Sequence, residues 1–207
     1  IPGYRPRGIR LRGKVTEVGT DTRPRASPVE VLARLAPVHP GGVQTAGNSS
    51  ALVDGAAAAV VTSGTYARSL GRQPLARVLA AAVVGVAPEI MGIGPAPAIG
   101  LLLRRTGLAL DDIARFEVNE AQGAQTLAVA RELGLELTRL NVNGGAIALG
   151  HPLAATGVRL TLTVARELRR AGLRYGIAGA CVGGGQGIAL LIENPLAARA
   201  AGPAGGS

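Results

Sequence analysis

The sequence predicts an α/β domain: a mixed, mostly parallel five-stranded sheet with helices on both faces. Three observations carry that expectation. Short apolar runs alternate with segments of helical period, as expected when each strand is followed by a covering helix. The run at 56–62 is small and apolar without polar alternation, which suits a strand buried on both faces. Glycine follows the helical stretches, at Gly134 and Gly172, where a left-handed C′ residue closes a helix.

The elements follow in order. Residues 1–28 lack a period and are rich in Gly, Pro and Arg, so they read as loop with at most one short strand. Residues 28–35 open as a helix, with Ser27 at the N-cap and Pro28 in the first turn, and Pro37 stops it. Residues 41–50 form a turn-rich loop. Residues 56–62 are the first strand, 65–70 a short helix, and 77–86 the second strand. A Gly/Pro loop at 88–97 leads to a helix at 98–105. Residues 113–118 are the third strand and 121–133 the next helix. After a loop at 141–152, residues 155–171 form a strong helix with Val158, Leu162, Ala165 and Leu168 on one face. Residues 175–181 and 187–192 are the last two strands, a hairpin through the glycine run. From residue 195 the Ala/Gly/Arg tail reads as disordered.

Composition bounds the function. At 207 residues and 47% hydrophobic, the chain can bury one substantial core, and 2% aromatics leave that core to small aliphatic side chains. No apolar run reaches the roughly 20 residues of a membrane span. A single cysteine excludes an internal disulfide and, with no secretory signal, points to a reducing, cytoplasmic compartment. The sequence opens on Ile1, and residues 2–19 read as the interior of a longer chain.

The net charge is +9, and 21 of the 22 basic residues are arginine, a bias that fits genomic composition better than nucleic-acid binding. Seven basic side chains fall within residues 1–25, against only Glu17 and Asp21. Nucleic-acid binding would interleave such a stripe with stacking aromatics, and only Tyr4 is there. A small polyanionic ligand is the better match.

Chemistry concentrates in the last third. Gly150-His151-Pro152 precedes a helix, so His151 reads either as presenting a ring nitrogen to a ligand or as tying down its own turn. Cys181 closes a strand before Gly183-Gly184-Gly185. It is either a small core residue or a reactive thiol beside bare amides that could bind an oxyanion. Asn119-Glu120-Ala121 also follows a strand, where open α/β sheets bind ligands, although Asn119 could equally cap the next helix. Residues 45–50 are a loop of small residues that either hugs a ligand or merely connects. His39 and His151 have no partners at metal-ligand spacing, and the glycine run lacks the Lys-Ser/Thr of a phosphate loop.

Together and in this order, these blocks resemble the C-terminal half of thiolases. The matching stretches are Thr45-Ala-Gly-Asn-Ser-Ser with Asp54-Gly-Ala-Ala-Ala, then Met91-Gly-Ile-Gly-Pro and Asn119-Glu-Ala. They continue with Asn141-Val-Asn-Gly-Gly-Ala-Ile-Ala-Leu-Gly-His-Pro and Cys181-Val-Gly-Gly-Gly-Gln-Gly. The resemblance runs from about residue 20 to residue 194. It implies the end of a loop domain over residues 1–40 and the C-terminal domain over 41–194.

The implied activity is acyl-CoA C-acyltransfer, the reversible thiolysis or Claisen condensation of 3-ketoacyl-CoA with CoA, ping-pong through an acyl-cysteine. By position, His151 matches the histidine that activates the nucleophile and donates to the thioester oxygen. Asn119 matches the asparagine that holds a water in the same oxyanion hole. Cys181 matches the acid/base cysteine, and the Gly183 amide the second oxyanion hole. Ala46, Ser50 and Ala121 match the pantetheine path, and Arg25 falls near the nucleotide end. Coenzyme A enters as substrate, with no further cofactor. The resemblance further implies a homo-oligomer and an N-terminal half bearing the acyl-accepting cysteine. This chain departs from the family at Gln122, where Phe is usual, and its one cysteine is already assigned. The alternatives are a non-catalytic CoA-binding or assembly module, or a half-enzyme completed by a separate N-terminal partner.

Overall fold

A computed structural model describes residues 19–21 and 23–197. Most of the basic stripe and the tail from residue 198 onward lie outside the described residues. Residues 195–197, expected to begin the disordered tail, instead form a turn in which Asn194 Oδ1 accepts from Leu196 N at 3.0 Å.

The elements are α1 (Val29–Leu32), α2 (Gly64–Ser69), β1 (Arg77–Gly85), α3 (Pro95–Thr106), β2 (Ile113–Val118), α4 (Gly123–Leu133), α5 (Ala146–Leu149), α6 (Leu153–Ala171), β3 (Tyr175–Val182) and β4 (Gln186–Glu193). Gly107, Gly134 and Gly172 take left-handed conformations and close α3, α4 and α6, each where a Cβ would be strained. The helix expected over 28–35 shrinks to the single turn α1, capped by Pro28 without a side-chain bond. Ser27 donates instead to the Arg25 carbonyl.

Four strands form one sheet in the order β1-β4-β3-β2. Only β2 and β3 are parallel; β3–β4 and β1–β4 are antiparallel. The fold is therefore the expected mixed α/β sheet, corrected in two respects: four strands, and one parallel pairing of three. Residues 56–62, expected as a buried strand, pair with no strand among the described residues. Val60 and Val61 are 95% and 85% exposed. Their apolar composition qualifies them for burial, but nothing among the described residues covers them.

Helices cover both faces. On one, Ile99 and Leu102 of α3 and Val129 of α4 pack on Phe116, Val118, Ile177 and Leu191. On the other, Leu160, Val164 and Leu168 of α6 pack on Ala178 and Ile192. Each large aliphatic side chain buried this way contributes about 1.5–3 kcal/mol. The buried stripe of α6 centres on Leu160, Val164, Ala165 and Leu168. Val158 and Leu162, expected on that face, instead line open concavities. On this face α6 leaves β1 and β4 partly bare, as an apolar groove of about 410 Å³ bounded by Val61, Val78, Val158, Ile188 and Leu190.

Candidate functional site

The sheet topology brings the motifs to one edge. Strands β2 and β3 run parallel with Val118 beside Gly179, so Asn119 and Cys181 emerge together at their carboxyl ends. Helix α6 returns across this face before β3 begins three residues after Gly172. Its first turn, with His151 just ahead of it, therefore lies at the same edge, the place where open α/β sheets present ligand sites.

His151 is held at both backbone and ring. Its N–H donates to the Ala51 carbonyl at 2.8 Å, pairing residue 151 with Leu52 as an isolated bridge. Gly150, at φ +95°, permits this approach, since a Cβ there would meet the Val53 side chain at 2.5 Å. The ring Nδ1 lies 2.6 Å from the Thr156 hydroxyl. Burial, and then the positive charge of Arg159, hold the imidazole below its ordinary pKa, so it is neutral at pH 7. The ring lines a hollow of about 240 Å³ with Val53, Asp54 and Leu153. The histidine thus both ties its own turn and faces open space.

Asn119 does not cap α4; that place is taken by Gln122. Its backbone N–H donates to the Gly179 carbonyl at 2.9 Å, and the residue is 1% exposed. Asn119 Oδ1 is buried without a hydrogen-bond partner among the described residues, so its amide retains an unused acceptor. The strand end is fixed by Asn141, whose amide bonds both Val118 N (2.8 Å) and Val118 O (2.9 Å). The same Asn141 Nδ2 donates to Glu120 Oε1 at 2.9 Å, and Glu120 Oε2 accepts from Ile147 N at 3.2 Å. Gly145 makes room for this carboxylate: a Cβ would overlap it.

Cys181 is half-buried on β3 opposite Gly187, and burial raises its thiol pKa, so it carries its proton at neutral pH. It is the only free cysteine among the described residues. Gly183 opens the three-residue turn to β4 and is exposed, with no atom within 4 Å of where a Cβ would stand. Gly185 and Gly187 are different: a Cβ on either would strike the backbone, at Val86 and Gly94 respectively.

The small-residue loop at 45–50 is stitched to the same edge. Ser50 N and Oγ both donate to the Ala121 carbonyl, at 3.0 and 3.3 Å, and Gly123 N donates to Asn48 O at 2.8 Å. Ser50 and Ala121 are therefore neighbours. Ala46 is exposed in the turn between Thr45 and Asn48. Arg25 is exposed, and its described contact is local, to Ser27; nothing ties it to this edge.

Under α6 lies a polar set that sequence reasoning missed. Glu117 is 2% exposed and its Oε2 is 3.8 Å from Arg159 Nη1. Burial raises its carboxyl to about 7 against the opposing pull of Arg159, with Glu120 and Glu167 raising it further. Its only sequence signal was that it is one of two charges, with Arg115, in a six-residue strand. The contacts of Asn141 and Glu120, which lie inside the quoted motifs, and of Thr156 were missed as well, because their partners lie 23, 21 and 5 positions away.

No direct hydrogen bond links His151, Asn119 and Cys181 among the described residues. No group of His, Cys, Asp and Glu there could hold a metal ion, and no described helix is long and apolar enough to cross a membrane.

The family model described as "Thiolase, C-terminal domain" matches residues 72–194. The acetyl-CoA acetyltransferase of Syntrophomonas wolfei is 45% identical over 88% of this chain and 48% of its own length. The crystal structure of the Bacillus anthracis acetyl-CoA acetyltransferase superposes with a TM-score of 0.82 and 47% identity, over 86% of this chain and 48% of that one. Human mitochondrial 3-ketoacyl-CoA thiolase in complex with CoA superposes at 0.77 and 43% identity, over 84% and 45%. The chain spans about half the length of the curated relatives it matches.

Proposed function

The chain belongs to the thiolase family, and on that premise we propose that it carries the acid/base and CoA-binding half of an acyl-CoA C-acyltransferase. The reaction is the reversible thiolysis of 3-ketoacyl-CoA, or its reverse condensation. The observation that carries this reading is the convergence of Asn119, Cys181 and the His151 turn at one sheet edge, with the 45–50 loop bonded to it.

The roles follow from the chemistry of each group. Neutral His151 is the base that takes a thiol proton, and the resulting imidazolium stabilises the thioester oxyanion. Asn119 contributes its buried amide to that oxygen, through a water. Cys181, protonated at neutral pH, returns the α-proton to the acetyl unit in thiolysis and, once it has given up its own proton, removes that α-proton as a thiolate in the condensation, and the exposed Gly183 amide binds the enolate oxygen. Pantetheine runs past Ala46, Ser50 and Ala121, and Arg25 meets the nucleotide phosphates. The acyl-accepting thiol comes from an N-terminal half, which packs into the apolar groove beside α6, and the complete protein is a homo-oligomer. Residues 1–40 belong to a loop domain and 41–194 to the C-terminal domain. The compartment is cytoplasmic.

The test is a hybrid in which residues 20–194 replace the matching half of the Bacillus anthracis enzyme. The hybrid should cleave acetoacetyl-CoA with CoA, and His151→Ala and Cys181→Ala should each abolish turnover. A folded hybrid that binds CoA without turnover would favour the second reading, a non-catalytic CoA-binding or assembly module. That reading draws on the chain's single cysteine.

A further inference from the structure

We propose that Thr156 is a positioning residue that fixes His151 as the Nδ1–H tautomer, leaving Nε2 as an unprotonated base. The argument is proton counting. Thr156 Oγ1 lies 2.6 Å from His151 Nδ1 and 3.0 Å from the Pro152 carbonyl oxygen. A hydroxyl has one proton to give. The carbonyl oxygen can only accept, so satisfying that contact uses the hydroxyl proton. Oγ1 is then an acceptor toward the ring, and the proton in the 2.6 Å contact belongs to Nδ1. The opposite assignment, with the hydroxyl donating to Nδ1, would leave two oxygens facing each other at 3.0 Å with no proton between them. Thr156 is 3% exposed, so water does not offer Oγ1 an easy alternative partner.

The fold supplies both halves of the device. Pro152 has no N–H and its carbonyl faces the first turn of α6, where Ala155 N and Thr156 N also donate to it, at 2.8 and 2.9 Å. Thr156 therefore stands in a fixed rotamer one turn along, bonding back to residue 152 in the usual i−4 manner. Which ring nitrogen of a neutral histidine is basic is set by the bond the other one makes.

This inference uses the acyltransfer reading for the purpose of Nε2, but not for the tautomer itself. In the resting protein Nε2 cannot donate to a thioester oxygen. It first accepts a proton: the S–H bond of the acyl-accepting thiol breaks, the electron pair stays on sulfur, and an Nε2–H bond forms. The same Nε2–H is then the donor for the oxyanion formed in the next step. The Nδ1–H···Oγ1 bond is kept throughout, so one proton moves and the ring does not flip.

The chain has only two histidines, His39 and His151, so His39→Gln leaves a single imidazole to observe. With ¹⁵N-labelled histidine at pH 7.5, long-range proton–nitrogen correlations of this variant should show a protonated Nδ1 and an unprotonated Nε2. Thr156→Val should move the two nitrogen resonances toward each other as the tautomers mix, and Thr156→Ser should restore them. In the hybrid enzyme Thr156→Val should lower kcat by about 10–100-fold, the scale seen when a metal-bound histidine loses the partner that orients it, with Thr156→Ser rescuing it. A protonated Nε2 in the His39→Gln protein overturns the proposal without recourse to any Thr156 variant. Tautomers unchanged in folded Thr156→Val overturn it too. An inactive hybrid whose His151 is nonetheless Nδ1–H sinks the acyltransfer reading and leaves the tautomer assignment supported.

Discussion

The side-chain amide of Asn141 pairs with the backbone of Val118 in both directions, accepting from its N–H at 2.8 Å and donating to its C=O at 2.9 Å. One side chain thus continues the sheet past the end of β2 and sets where the Asn119-Glu120 turn begins. Val118 is fully buried, so both of its backbone groups depend on this amide.

Asn141→Ala should therefore destabilise the chain by about 2–4 kcal/mol, because each orphaned buried group costs roughly 1–3 kcal/mol. Urea unfolding measures it. Asn141 also sits at φ +47°, a region that favours Asn and Gly. A loss below about 0.5 kcal/mol would show that water or a shifted strand replaces the amide.

The backbones of Gly94 and Gly187 touch directly. A Cβ on Gly94 would lie 2.6 Å from Gln186 O and 2.8 Å from Gly187 Cα, and one on Gly187 would overlap the Gly94 carbonyl. Neither neighbour is a side chain that can swing aside. Gly94→Ala and Gly187→Ala should each cost about 1–3 kcal/mol or more through overpacking, whereas Gly183→Ala, with open space around it, should leave the melting temperature nearly unchanged.

Glu117 makes stability depend on pH. Its carboxyl titrates near 7 in the fold, against 4.5 ordinarily, so between those values the folded chain holds a proton that the unfolded chain has released. Its contribution is fully present below pH 4.5 and is lost as pH rises through 7. His151, with its lowered pKa, acts oppositely: its contribution is present above 6.5 and is lost as pH falls. Glu117→Gln should remove the first effect and leave the second. The unfolding free energy of the variant should then fall less than that of the parent between pH 5 and pH 8, and equal slopes would refute the assignment.

Cys181 should behave as a sluggish thiol. Burial raises its pKa, and the thiolate is the reactive form. Alkylation by iodoacetamide at pH 8, followed by intact mass, should run slower than for a free thiol and equalise with it on unfolding. Alkylation as fast as glutathione's would contradict the protonated state on which the proposed acid/base role rests.

If the proposed acyltransfer role holds, His151→Ala in the complete enzyme should abolish thiolysis while CoA still binds, because that role places the imidazole at the reacting centre rather than at the nucleotide. Calorimetry with CoA and a thiolysis assay separate the two. Turnover near that of the parent would remove His151 from the mechanism.

What the sequence determined by itself was local. Glycines at 134 and 172 end helices, as expected, because glycine takes left-handed φ without strain. Residues 113–118 form a strand over the expected bounds, with Ile113, Phe116 and Val118 buried in a short run flanked by turn signals. The Asn119, His151 and Cys181 motifs were legible because their residue types and order are distinctive. The tertiary structure decided what depends on partners. Residues 56–62 have the composition of a buried strand, but pairing is a property of two segments, and among the described residues β1 pairs only with β4. The face of α6 that is buried, the amide bridge from Asn141 to Val118, the Glu117–Arg159 pair and the Thr156 contact with His151 all arise from approach in space. Hydrogen bonds and desolvation act over a few ångströms whatever the sequence separation, so no periodicity or spacing could announce them.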